Sequence, residues 1–342
     1  MHLDIAMAET LTRVTRVALI GAGIFARETY IPNVQAHESR VKLTAILSRS
    51  PEPIEEALSL LKDGGSGVLK FFGSDGEDNF FARARDICDA VIIAVPIPLL
   101  GKYIERCLAL NLHVLSEKPV AATSAEAVRL VAIYRQDASR LGLWHVAENY
   151  RLEPAVTCAS DIVRRHPGAP KAFSLMALRQ QSPTSKYAVT TWRAQPQHKG
   201  SFVLDGGIHF VALLRAVLGG DVHSVRGTYE EHSACEVGAC GACSVAGATG
   251  TYLIRYGMFP CPLFRLDVYW EDATLSLLQL KGIGYELIMT GQDTRTFGFN
   301  GLELEFRAWL DTFDGAAAAA LSPEEGLADL LVVEAMCSGG SA

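Results

Sequence analysis

Three stretches of this chain carry residue types that could do chemistry together: "SEKPV" at 116–120, "WR" at 192–193 and "GSFVLDGGIHF" at 200–210. The last sets Asp205 and His209 four positions apart at the head of an amphipathic run, "GGIHFVALLRAVLG", and on a helix that spacing puts both on one face. An acid next to a base can handle a proton, and Lys118 is a cation that could join them. Taken singly, a lysine is more often a surface charge and a histidine more often a satisfied core residue, so the group carries the reading.

A second constellation lies near the start. The apolar run "RVALIG" at 16–21 ends in glycine and leads through "GAGIFA" into "FARETYIPNVQAH", a strand, a turn and a helix. Gly21 permits the sharp turn, Gly23 removes a side chain where a pyrophosphate would approach, and Ala26 allows close helix packing. Free N–H groups at the helix start would face the phosphate oxygens. About 20 residues on, where an NAD binder carries an acid for the ribose 2′-hydroxyl, the strand "VKLTAILS" runs instead into Ser48-Arg49-Ser50. A guanidinium flanked by hydroxyls suits a 2′-phosphate, so the expected cofactor is NADP rather than NAD.

Positioning these residues takes an ordered scaffold. After "VKLTAILS", Ser50-Pro51 opens a helix that stops at Gly64-Gly65. "DAVIIAVP" at 89–96 is apolar enough for a parallel strand covered on both faces, and "LLGKYIERCLALN" has helical spacing. "HVLSEKP" is a further strand, Thr123 and Glu126 form a capping box, and "GLWHVAENY" adds another strand. Strands alternating with helices predict a doubly wound parallel sheet. Beyond Tyr150 a helix, "EPAVTCASDIVRRH", precedes "KAFSLMALRQQ", an expected antiparallel strand. A meander of strands follows, and a last helix begins at the capping box Ser322 to Glu325. The expected fold class is α/β, with an extension at 1–15, a Rossmann domain at 16–148 and, at 149–342, an α+β domain whose open sheet is mostly antiparallel.

Composition narrows the field. At 342 residues, 49% hydrophobic, the chain is long enough for two cores. Its net charge is −7 with scattered Lys and Arg, which predicts no nucleic-acid partner. The longest apolar candidate, "AVIIAVPIPLLG", is interrupted by Pro96 and Pro98 and falls short of the ~18–20 residues of a membrane span. No membrane partner is therefore expected, and "MHLDIAMAET", with Asp4 and Glu9, does not read as a secretory signal, so a cytoplasmic protein is expected. Of the eight cysteines, only Cys235, Cys240 and Cys243 in "CEVGACGAC" are clustered; a Gly/Ala-rich loop with incidental thiols is expected, and no metal.

In order along the chain, "GAGIFA", "AVIIAVP", "HVLSEKPVA", "ENYRLEP", "WR", the Asp-x-x-x-His of "DGGIHF" and "SPEEGLADLLVVEA" resemble the glucose-fructose oxidoreductase, inositol dehydrogenase and MocA (Gfo/Idh/MocA) family of NAD(P)-dependent oxidoreductases. The resemblance implies hydride transfer between a nicotinamide and the secondary alcohol or carbonyl of a small molecule: a sugar, polyol or cyclic diol. It implies that Lys118 polarises the substrate oxygen and that Asp205 and His209 form a facing pair, His209 exchanging the proton. It further implies cofactor contacts from Gly21, Gly23, Ile24, Phe25, Ser48, Arg49, Ser50, Ala94, Val95, Pro96, Glu117 and Lys118, and a cis Lys118–Pro119 bond. Asn149, Trp192, Arg193 and Phe202 would line the substrate site, and the C-terminal sheet would support a homodimer or homotetramer.

The chain departs from the family pattern at two places. Leu100 stands where many members have a histidine, and Gly200-Ser201-Phe202 replaces a glycine triplet, which brings Phe202 toward the expected pocket. Two other readings share the fold: a dinucleotide-sensing regulatory protein without turnover, and a glycosidase-like enzyme using a retained NAD. Retention of Lys118, Asp205 and His209 weighs against the first, and Arg49 against the second.

Overall fold

The computed structural model describes residues 14–196, 198–280 and 284–339. Residues 1–13, most of the expected extension, lie outside the described residues. The chain forms two compact units, 1–92 and 93–342, which part inside a strand.

In the first unit β1 (Thr15–Ile20) buries its last four residues and ends at Gly21, whose φ of +96° is open to glycine at little cost. The chain then enters a π-helical turn, Ala26–Tyr30, that continues as α1 (Ile31–Ala36). Next comes β2 (Val41–Ser48), parallel to β1 with Leu19 opposite Ile46. In α2 (Glu52–Ser59) Pro51 takes the N-cap position expected for Ser50. β3 (Leu69–Phe72) and α3 (Gly73–Ile87) occupy a stretch with no clear pattern: α3 holds two glycines and has no side-chain cap. The strand that follows, β4 (Ala90–Ile93), is buried at every residue, as its apolar run predicts. The strands stand in the order β3-β2-β1-β4 in a six-stranded sheet.

The second unit opens with α4 (Ile97–Ala109), β5 (His113–Glu117), α5 (Ser124–Arg135) and β6 (Trp144–Ala147). β5 and β6 pair in parallel and complete that sheet. The Thr123 hydroxyl accepts the Glu126 N–H at the head of α5, as the capping box predicts. Then come α6 (Pro154–Arg165), β7 (Ala172–Gln180), and three helices, α7 (Thr191–Ala194), α8 (Ser201–Asp205) and α9 (Ile208–Leu218). The remaining strands are β8 (Val222–Ser233), β9 (Glu236–Val245), β10 (Ala248–Gly257), β11 (Leu263–Tyr269), β12 (Thr274–Leu280), β13 (Gly284–Met289) and β14 (Arg295–Phe297). Two helices, α10 (Gly301–Asp311) and α11 (Pro323–Cys337), close the chain.

These strands and β7 form an eight-stranded sheet, β14-β13-β12-β11-β7-β10-β9-β8. It is antiparallel except that β7 runs parallel to β10, so β7 has one neighbour of each sense. The whole is a parallel Rossmann-like sheet plus a large, mostly antiparallel one, the expected α/β class.

Two expectations change. "CEVGACGAC" is not a loop: it is β9, paired on both sides, with Cys243 buried and Cys240 exposed. Its small residues are needed by close strand approach, since a Cβ on Gly241 would stand 2.0 Å from the Arg226 carbonyl oxygen. No cluster of metal-ligating side chains occurs among the described residues. The segment Ser201–Leu218, a longer run than "AVIIAVPIPLLG", has the length and mean hydropathy, 1.6, of a membrane span. It is broken between α8 and α9 and 83% buried within the fold, the character of a core helix.

Candidate functional site

The second unit gathers the charged residues. β5 delivers Glu117 and Lys118 at its end, and the Lys118–Pro119 bond is cis. The Lys118 ammonium donates to Asp205 Oδ1 at 3.1 Å and also to the Asp205 carbonyl oxygen. Arg193, from α7, donates from Nε to Asp205 Oδ2 at 2.7 Å. Its guanidinium lies 4.0 Å from the Trp192 ring centroid and 5.3 Å from that of Tyr187. Asp205 is thus clamped between two cations. Burial raises its carboxyl, but Lys118 and Arg193 reverse that and hold it well below the usual carboxylate range. Burial likewise lowers Lys118, yet Asp205 and Glu117 outweigh it, so the ammonium is held more firmly than an ordinary lysine's.

His209 is the second residue of α9, and its hydrogen-bonded carboxylate is Glu148 rather than Asp205. α8 ends at Asp205 and α9 begins at Ile208, so the two residues do not share one continuous helix. The carboxylate partner of His209 is Glu148, at the end of β6, with Nδ1 and Oε1 2.7 Å apart. Burial raises Glu148, and His209, Arg151 and Lys118 together bring it below its usual range. An ionised carboxylate only accepts, so Nδ1 carries the proton and Nε2 is left as the nitrogen for a reacting oxygen. The Tyr150 ring stacks on the imidazole at 4.4 Å and its N–H donates to Glu148, which fixes the orientation of both. Glu148 and Tyr150 were within the "ENYRLEP" stretch, but nothing in the sequence pairs them with a histidine 61 positions away.

The other expected lining residues are distributed around this group. Asn149, half-buried, follows Glu148 directly. Trp192 is half-buried beside the Arg193 guanidinium. Phe202 is buried against Tyr256, ring centroids 5.6 Å apart, so its bulk goes into packing. Leu100 is a buried residue of α4. Ala94, Val95 and Pro96 form the half-buried link from β4 to α4.

In the first unit, the glycine turn fits a dinucleotide phosphate. A Cβ on Gly23 would meet nothing within 4 Å, so open space lies where the fingerprint requires a close approach. Ile24 and Phe25 begin the helix whose N–H groups follow that turn. At the end of β2, Arg49 is exposed between half-buried Ser48 and Ser50, and the Ser50 hydroxyl bonds Glu52. Arg27, which the sequence reading passes over, bonds the Ala22 carbonyl within the turn and pairs with Glu56.

Known proteins share this architecture. Residues 15–145 match the NAD-binding Rossmann fold of the GFO_IDH_MocA oxidoreductase family, and residues 165–256 match its C-terminal alpha/beta domain. A dehydrogenase of Fusarium mangiferae, FPY6, is 28% identical over 339 residues, covering 94% of this chain and 95% of the relative. A dTDP-3,4-didehydro-2,6-dideoxy-alpha-D-glucose 3-reductase of Streptomyces violaceoruber is 28% identical, covering 70% of this chain and 64% of the relative. The WlbA dehydrogenase of Bordetella pertussis, solved with NADH and UDP-GlcNAcA, aligns with a TM-score of 0.78 at 19% identity, covering 96% of each chain.

Proposed function

Since the chain belongs to the Gfo/Idh/MocA oxidoreductase family and is an NAD(P)-dependent enzyme of the dehydrogenase/reductase type, we propose that its substrate is a sugar or polyol, oxidised or reduced at a secondary carbon, with NADP preferred over NAD. One observation carries this reading: His209 is held by Glu148 on one nitrogen beside a lysine fixed in its charged form, the two functions that alkoxide chemistry demands. The sugar class is supported by the Streptomyces reductase, whose name is that of a deoxysugar reductase.

The residues act as follows. Gly21, Gly23 and the adjoining N–H groups would hold the pyrophosphate, with Arg49 and Ser48 on the 2′-phosphate. Bound there, the dinucleotide supplies the hydride donor or acceptor. Lys118 donates to the substrate oxygen and stabilises the charge developing on it. His209 exchanges the proton through Nε2 while Glu148 stabilises the imidazolium that forms. Asp205 and Arg193 keep the Lys118 ammonium aimed, and Trp192 and Asn149 would contact the sugar ring.

Self-association through the large sheet belongs to the same reading. Leu253, Met176, Arg265 and Leu278 lie opposite one another across β10, β7, β11 and β12, only half-buried or exposed, a mixed apolar face suited to a second copy.

Fluorescence titration with NADPH and NADH, followed by a screen of ketosugars and polyols, tests the proposal. NADPH should bind tighter, and Arg49→Asp should move the NADPH/NADH ratio about tenfold toward NADH. Binding of neither nucleotide would overturn the assignment, and an unchanged ratio would free Arg49 from the 2′-phosphate.

A further inference from the structure

Behind Glu148 lies a cavity of about 10 Å³, the scale of a single water molecule. Its polar lining comes from Glu148, Lys118, Arg151, Asp329 and Ser322, more than the two to four partners a buried water uses. Arg151 is 7% exposed, and its Nε–H is buried without a hydrogen-bond partner, a donor of the kind ordered water satisfies. On another part of the wall are Ala320 and Ser322, both half-buried, so the lining extends from the buried carboxylate to residues that reach solvent.

We propose that this cavity holds a water molecule that carries protons between the His209–Glu148 pair and solvent. The inference rests on the oxidoreductase reading for its use, because each hydride transferred is matched by one proton entering or leaving over the cycle, and a path behind Glu148 lets that proton exchange while substrate covers Nε2. In the oxidising direction the substrate hydroxyl proton goes to Nε2 as hydride leaves the carbon. The Nδ1 proton then passes to Glu148 Oε1, Glu148 gives a proton to the water, and the water releases one of its own outward. Once product leaves, Nε2 gives its proton to solvent as one returns through the water and Glu148 to Nδ1, which restores the resting tautomer with one proton released in all. Reduction runs the same steps backwards. The groups facing Glu148 are His209, Arg151 and Lys118, with Glu305, Asp329 and the Tyr285 phenol also within electrostatic reach. Their mix of cations and acids lets Glu148 stay ionised at rest and accept a proton transiently.

Gly326 provides the test. A Cβ there would stand 3.2 Å from Val120 Cβ and 3.4 Å from the Val146 methyls, two other residues of the cavity wall. Gly326→Ala would therefore crowd the Val120 and Val146 wall and narrow a cavity that has room for only one water, whereas Gly326→Ser adds similar bulk together with a hydroxyl able to pass a proton. The readout is exchange of the His209 Nδ1–H with solvent, followed by NMR on the intact chain labelled with ¹⁵N-histidine; this proton leaves through Glu148. Gly326→Ala should slow that exchange about tenfold or more, with Gly326→Ser within about threefold of the wild type. Unchanged exchange in the alanine variant, or equal slowing in both variants, would overturn the relay. No substrate is needed for the measurement, so a chain that turns over no sugar yet shows the Gly326 effect would sink the proposed function and leave the relay standing.

Discussion

Two buried aspartates in this protein are each held between two cations, and they behave differently. Asp205 sits between Lys118 at 3.1 Å and Arg193 at 2.7 Å, and Asp329 between Arg151 at 2.6 Å and Arg215 at 2.7 Å. Around Asp205 the cations overcome burial and drive the carboxyl far down. Around Asp329 burial prevails and pushes the carboxyl up to about 6. The cations differ as well: the Lys118 and Arg193 side chains are 14% and 19% exposed, those of Arg151 and Arg215 only 5% each. Partly exposed cations can leave their aspartate and meet a ligand, whereas fully enclosed ones can only serve as a strut. The same charge pattern thus makes a working site in one place and a structural tie in the other.

Removing Lys118 should produce the largest effect. Lys118→Ala should lower kcat roughly 10³-fold or more while leaving NADPH binding and the far-UV spectrum unchanged, because Asp205 keeps Arg193. A near-normal kcat would show that the Asp205 cluster is also a strut. Next comes stability. Asp329→Asn leaves two enclosed guanidinium groups short of an anion and should cost about 3–5 kcal/mol by chemical denaturation, against about 1 kcal/mol for Asp205→Asn, whose cations can turn to water. Equal losses would erase the distinction.

A third buried carboxylate sharpens the comparison with the smallest effect. Glu305 on α10 is 2% exposed and has no bonding partner for Oε2. Burial, Glu117 and Glu148 raise its carboxyl well above the usual range, and Lys118 offsets this only in part. A raised folded-state pKa gives stability that is complete below the unfolded value, about 4.3, and is lost as pH rises through the folded one. The wild type should therefore lose stability over that rise, and Glu305→Gln, which has no proton to lose, should gain about 1 kcal/mol or more on it at pH 8. Parallel stability curves for the two proteins would show that Glu305 is ionised throughout.

Much of this was legible beforehand where the signal is local. The caps at Thr123 and Ser322, the apolar run of β4 and the turn at Gly21 follow from steric and hydrogen-bonding rules acting within a few residues. β3 and α3 were not, because their sequence lacks a cap and a clean period, and β9 was masked by glycines and alanines that only neighbouring strands explain. At the site, Lys118, Asp205 and His209 stood out from motif order, but their pairing did not.

By itself the sequence determined the alternation of strands and helices, the glycine turn and the identity of the charged residues available to the site, since these depend on short-range periodicity and residue type. Only the tertiary structure decided that His209 answers to Glu148, that Asp205 answers to Lys118 and Arg193, and that one clamped aspartate is left more open than the other. Those outcomes depend on distance and burial, and both are set by segments tens to hundreds of residues apart meeting in the folded chain.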